Sequence, residues 1–314
     1  MFVRIFLSRS QLLTWTRIIF IASFTVILNS LLILPVQAQS DAEEDVLNFE
    51  TNIVVLNMTV SDARGNFVHN LKKSDFILNE DGRPQQALSF LVEDTPFAAV
   101  ILIDFSGSME GRTSLARAAA IHFLSGLRVE DTASVYRFDS EIKMMQDFSS
   151  SRDLAPVAYA RRAEGMTRLN DAIIEAADAL AARPEKRRAI IVLSDGADTQ
   201  SRASSDKALT AAIAAGATLY TVDMADNKSP QTSAAGSLRN FASKSGGRFI
   251  ATPGGRETRE ALGDIVEELS NQYTVSYRPT NSKQDGRWRE IEVKTTKPET
   301  QIRTRRGYRA PLKR

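Results

Sequence analysis

The sequence has 314 residues, 43% apolar and 25% charged, room for one large domain or two modest ones and not the composition of a disordered chain. It contains no cysteine, which excludes disulfides, zinc–thiolate sites and a cysteine nucleophile. Its two histidines, His69 and His122, are far apart in the chain and leave little from which to build a Ser-His-Asp triad or a histidine zinc site.

Residues 1–38 read as a signal peptide. Arg4, Arg9 and Arg17 precede an apolar run from Ile18 to Leu34, and Val36-Gln37-Ala38 supplies the small-residue pattern of a cleavage site. Ser23, Thr25, Asn29 and Ser30 make that run polar and short for a permanent span, so cleavage after Ala38 is expected, with an uncleaved N-terminal anchor as the alternative. The expected location is therefore exported, periplasmic or secreted, with no membrane span after cleavage. All the acidic residues and all but three of the basic ones follow Ala38, so the formal charge of +2 does not imply a nucleic-acid partner. Residues 281–314 hold eleven Lys/Arg against four Asp/Glu, which reads as the solvated face of a β-surface.

After an acidic leader, "SDAEEDV", residues 45–93 show strand patterns and no helical periodicity. "NIVVLNMTVSD" is one strand, and "DFILNEDGRPQQALSFLVED" reads as a hairpin about Asp81-Gly82. From Thr95 the pattern alternates. "AAVILIDF" is a continuous apolar strand, "TSLARAAAIHFLSGL" a helix, "DTASVYRFDS" and "IKMMQDF" strands. "TRLNDAIIEAADALAAR" is a helix with Thr167 placed to cap it and Asp171 in its first turn. The strands "RRAIIVLSD", "ATLYTVDM" and "RFIAT" then alternate with three more helices, the last being "RETREALGDIVEELSNQ". That order predicts an α/β fold over 95–272, doubly wound, with a mostly parallel sheet and helices on both faces. From Tyr273 the chain returns to strands: "QYTVSYRPT", a turn at Asp285-Gly286, "RWREIEVKTT" and "TQIRTRRGYRA". Residues 39–94 and 273–314 are each too small for a good sheet, and together they make a sandwich of ordinary size. The α/β domain is thus expected as an insertion into a β-domain built from both flanks. Two independent β-appendages are the alternative.

In open α/β sheets ligands bind beyond the carboxyl ends of the strands, near the switch point. Asp104 and Asp195 end two of the apolar strands, and Gly165-Met166-Thr167 opens the long helix between them. If the loops converge, Asp104, Ser106, Ser108, Thr167 and Asp195 form a set of hard oxygen ligands suited to Mg2+, Mn2+ or Ca2+. Read singly, Ser106 and Ser108 could be turn and cap residues, and Asp195 a turn opener. Asp198 is better suited to bracing its loop than to binding metal, and Asp171 to hydrogen-bonding the early helix or the site loops. Asp139 and Asp223 end other strands as rim or turn residues. His122 lies on an apolar helix face.

"DFSGS" has the Asp-x-Ser-x-Ser form of the metal-ion-dependent adhesion site of von Willebrand factor type A domains, and the chain resembles that family over about residues 95–272. "GMTRLNDAI" resembles the loop carrying the family's threonine, and "VLSDGADT" the loop carrying its second aspartate; Met166 stands where a second glycine is common. The flanks, "LKKSDFILNEDG" and "RRGY", resemble a bacterial exported subfamily with β-regions around the domain. The resemblance implies that Ser106 and Ser108 bind the metal directly, Thr167 directly or through water, and Asp104 and Asp195 mainly through water or second-layer hydrogen bonds. It implies a protein partner presenting Asp or Glu, captured through the cation in an adhesion or scaffold role, and no catalytic residue. A fold-stabilising metal site in a scaffold protein is a competing reading. A phosphotransferase-like enzyme is a weaker one, because Ser106 stands where such enzymes need a second carboxylate and no phosphate-cradling loop is present.

Overall fold

Three sheets make up the computed structural model, which describes residues 53–92, 95–152, 154, 166–225, 233–251 and 254–312. The expected signal peptide, the acidic leader and Gly165 lie outside the described residues. Among those described, no helix is long and apolar enough to cross a membrane.

The N-terminal flank contributes β1 (Val54–Asp62), β2 (Phe76–Glu80), β3 (Arg83–Pro84) and β4 (Ala87–Leu91). The α/β region follows with β5 (Phe97–Asp104), α1 (Thr113–Ser125), β6 (Thr132–Phe138), β7 (Ile142–Ser149), α2 (Leu169–Ala181), β8 (Arg187–Ser194), α3 (Ser205–Ala214), β9 (Ala217–Asp223), α4 (Ser233–Ser245), β10 (Phe249–Ala251) and α5 (Gly255–Ser270). The C-terminal flank supplies β11 (Tyr273–Tyr277), β12 (Trp288–Thr295), β13 (Thr300–Arg303) and β14 (Gly307–Arg309).

Every residue of β5 is buried, as a strand covered on both faces requires. Its side chains alternate between two cores. Phe97, Ala99, Ile101 and Ile103 meet Phe123 and Leu124 of α1 and Leu262, Ile265 and Leu269 of α5. Ala98, Val100 and Leu102 meet Ile173 and Leu180 of α2, Leu209 of α3 and Phe241 of α4. The strand order is β10-β9-β8-β5-β6-β7, parallel except for the edge strand β7. From β5 the chain steps outward to β6 and β7, then returns through α2 to β8 on β5's other side and continues to β9 and β10. The winding direction reverses between β5 and β8, so the loops beyond their carboxyl ends part and leave a crevice.

The flanking strands pair with each other. β13-β1-β11-β4 forms one sheet and β14-β12-β2-β3 the other, so each contains strands from both ends of the chain. Leu56, Met58 and Val60 of β1 pack with Leu78, Tyr273, Val275, Tyr277 and Ile291 between them. Two expectations need correction. The run after Asp81-Gly82 is not one strand: β3 pairs with β2 for two residues, and the chain then crosses to the other sheet as β4 beside β11. "TQIRTRRGYRA" likewise divides, β13 pairing with β1 and β14 with β12.

Two buried polar clusters join the sandwich to the base of the central sheet. Arg187, at the start of β8 and fully buried, donates to the carbonyls of Val92, Thr95, Leu269 and Gln272 and to the Thr274 hydroxyl. Glu268 of α5 accepts from the hydroxyls of Thr59 (3.1 Å) and Tyr220 (2.6 Å) and from Arg303 of β13. One cluster therefore clips the chain on entry to and exit from the α/β region, and the other ties α5 to β1 and β13.

Candidate metal centre

Asp104 is the last residue of β5 and completely buried. Its Oδ1 accepts from the Ser106 amide at 2.8 Å, which folds the chain back on the carboxylate immediately after the strand. Ser106, almost as buried, precedes a single 3-10 turn at Gly107–Met109, and its hydroxyl lies 3.1 Å from that of exposed Ser108. Neither serine caps a backbone amide of α1, whose N-cap position is Arg112 with no side-chain cap bond.

β8 runs alongside, Ile103 opposite Leu193. The next residue, Ser194, donates its hydroxyl to Asp104 Oδ2 at 2.6 Å and accepts from the Gly196 amide at 2.9 Å. Asp195 follows, its Oδ1 accepting from the Ala197 amide at 3.1 Å. Gly196 turns the chain at φ +82°, and a Cβ there would sit 2.6 Å from the Ala234 carbonyl, so the loop packs directly against the start of α4. Burial pushes the Asp104 carboxyl up to about 6, against the lowering effect of its hydrogen bonds, and the nearby charge of Asp195 adds to the rise. Asp223, opposite Ser194 at the end of β9, is raised by burial and again by Asp195. Three carboxylates thus crowd the carboxyl ends of adjacent strands. Among the described residues no salt bridge reaches Asp104 or Asp195, and the Asp104 carboxylate accepts from two neutral donors, the Ser106 amide and the Ser194 hydroxyl.

Thr167 is buried beside the loop that follows β8. Its amide donates to the Thr199 hydroxyl at 2.9 Å, and its carbonyl accepts from the amides of Thr199 and Gln200. Among the described residues its side chain makes no hydrogen bond to Asp104, Ser106 or Ser108. Nor does it cap α2, contrary to expectation: the N-cap position is Arg168, which has no side-chain cap bond. Asp198 serves that helix end from outside, accepting from the Asn170 amide at 2.8 Å and the Ser201 amide at 3.0 Å. Asp171 accepts from the amides of Arg202 and Ala203 and from the Arg168 guanidinium at 2.7 Å. Against the raising effect of partial burial, those contacts hold its carboxyl below the usual range. Asp171 and Asp198 therefore lock the helix start and the loop after β8 together. Asp139 does the same for β6, its carbonyl accepting from the Arg168 amide.

Sequence reasoning misses Ser194, although a hydroxyl between the strand "IIVL" and Asp195 is the signal that could have found it. No group of three or more His, Cys, Asp or Glu among the described residues is arranged to hold a metal. What is assembled instead is an oxygen set of two carboxylates and several hydroxyls, chemistry that fits a hard divalent cation and lacks the nitrogen and sulfur donors of zinc or copper sites.

Residues 99–197 match the family model described as von Willebrand factor type A domain. No curated protein matches the chain. Among solved structures, a von Willebrand factor type A protein from Catenulispora acidiphila is 14% identical, with 78% of this chain and 75% of that one covered and a TM-score of 0.47. The ArnB paralog VWA2 from Sulfolobus acidocaldarius is 14% identical over 83% of this chain and 76% of that one, TM-score 0.43. The PilB minor pilin from Streptococcus sanguinis is 12% identical in its D319A form, TM-score 0.44, with 56% of this chain covered; this chain spans 62% of that protein's length.

Proposed function

We propose that this chain, which carries a von Willebrand factor type A domain over residues 99–197, is an exported binding module that captures an acidic side chain of a protein partner through a divalent cation, Mg2+ or else Mn2+ or Ca2+. Asp104 carries this assignment: a fully buried carboxylate, beside the charge of Asp195 and bonded to neutral groups, is costly unless a cation shares the site. Ser106 and Ser108 would hold the ion through their hydroxyls, and Thr167 directly or through water. Asp104 and Asp195 would act mainly through water, supplying negative charge close by. A bound divalent cation would offer an electrophilic position to a carboxylate oxygen of the partner. The neutral hydroxyls of Ser106, Ser108 and Thr167 would donate little charge to the ion, leaving it electrophilic, while Asp104 and Asp195 would balance its charge from close by. Ser106 in place of a second aspartate favours holding over phosphoryl transfer. The export features of residues 1–38 support an encounter in the periplasm or outside the cell.

The test is capture of partners from an envelope fraction by wild type and Asp104→Ala, with magnesium and with EDTA, alongside calorimetric titration of magnesium. Metal binding together with partner capture lost in EDTA and in the variant is the expected result. Capture undiminished in EDTA would sink the proposal. Metal binding that only raises the melting temperature, with no partner preferring the loaded form, would reassign the site to a fold-stabilising role.

A further inference from the structure

A cavity of about 870 Å3 lies where α3 faces the β12–β14 edge of the sandwich, lined by α3 from Asp206 to Ala214. Its size falls in the range of small-molecule sites, roughly 300–1,000 Å3. Its lining carries five basic side chains against two acidic ones, Asp206 and Glu290. Its apolar wall includes Ile213, Tyr308 and the exposed side chains of Trp288 and Leu312.

Arg305 is the informative group in that wall. Its Nη1 donates to the Ile213 carbonyl at 2.9 Å, and its guanidinium lies 5.6 Å from the Tyr308 ring centre. Its Nε is buried with no hydrogen-bond partner, and among the described residues no salt bridge reaches it. Glu80 takes the hydroxyls of Tyr277 (2.7 Å) and Tyr308 (3.0 Å) and forms no salt bridge with Arg305. Burial lowers the guanidinium to about 10, and the nearby groups that offset it are the tyrosines Tyr277 and Tyr308, with no carboxylate among them. A cation at the C-terminal turn of α3 is favourable in itself, which accounts for the bond to Ile213. It accounts neither for the unpartnered Nε nor for further basic side chains, Lys244 and Arg309 among them, around an open cavity.

We infer that this cleft is a second binding site, taking a small molecule with an anionic group seated against Arg305 and an apolar or aromatic body against Trp288 and Tyr308. A carboxylate and a phosphate share the required chemistry. Paired oxygens of either anion suit the guanidinium fork, and the aromatic wall suits a flat body.

Calorimetric titration of the full chain with 1-naphthoate, 1-naphthyl phosphate and neutral 1-naphthylmethanol tests this. Saturable binding of at least one anion is expected, weaker by roughly tenfold or more for the neutral alcohol, since a charge-assisted hydrogen bond is what it lacks. Whichever anion binds tighter identifies the headgroup class. Arg305→Gln should weaken binding by a similar factor, and because it could disturb folding, the exposed change Arg309→Gln, which touches no buried contact, should weaken it severalfold with an unchanged melting temperature. EDTA should leave binding unaltered. No saturable binding of either anion at millimolar concentration, equal binding of the alcohol, or full affinity in both variants would overturn the inference.

Discussion

Asp104 sets the electrostatic character of the site. A carboxyl held at about 6 in the folded protein against an ordinary 3.8 binds its proton more tightly folded than unfolded. Its contribution therefore turns unfavourable as pH rises from about 4 to 6, by on the order of 3 kcal/mol, and stays so above that window. Without metal, Asp104→Asn should accordingly raise the melting temperature at pH 7.5 and leave it almost unchanged at pH 4, as thermal unfolding at the two pH values would reveal. The amide can still accept from Ser106 and donate to Ser194. With magnesium the order should reverse, wild type gaining stability that the variant does not. Ser194→Ala removes the hydroxyl linking Asp104 to the Gly196 amide and should lower magnesium affinity by about tenfold in calorimetry. Asp104 and Asp195 stand out in the sequence because an acid at the end of a buried apolar strand is too costly to keep without a polar or ionic role. Ser194 does not, since a serine at a strand end also suits a turn, and its role exists only once Ile103 and Leu193 lie side by side.

At the level of elements, the start of α2 is secured by a residue from another loop. Asp198→Ala removes the acceptor for the Asn170 and Ser201 amides and should cost about 1 kcal/mol, the usual worth of an N-cap, measurable as a shift of the urea midpoint. No local pattern reveals such a cap, because Asp198 is remote in sequence from the helix it serves, while Thr167, the residue with a capping side chain, lies one position before the N-cap residue Arg168. Strands and helices of the α/β region are legible for the opposite reason. β5, β8 and β9 each carry a largely apolar, buried run because both faces are covered, and α2 repeats its apolar residues at helical spacing. The flanks are harder. Residues 83–91 and 300–309 keep β-type composition while changing sheets midway, and a change of partner leaves no mark on side-chain alternation.

For the molecule as a whole, the flanks are interdependent because each sheet draws strands from both ends of the chain. A chain ending at Lys297 loses β13 and β14, uncovering the edge of β1 and removing Arg303 from Glu268. It should unfold at lower temperature and bind a hydrophobic dye that the intact chain excludes. Arg187→Met, which strands four carbonyls and a hydroxyl, should cost ~3 kcal/mol or more in denaturant unfolding while leaving metal affinity intact. The same arginine bears on how force would pass through the protein. β4 and β11, the strands on which the chain arrives at and departs from the α/β region, are hydrogen-bonded neighbours, Leu91 opposite Thr274. Both crossings lie at the start of β5, about 23 Å from Asp104 for seven steps of a parallel strand. A partner pulling on the site would thus load two parallel tethers, riveted together by Arg187, and strain would be shared between them before either could peel away.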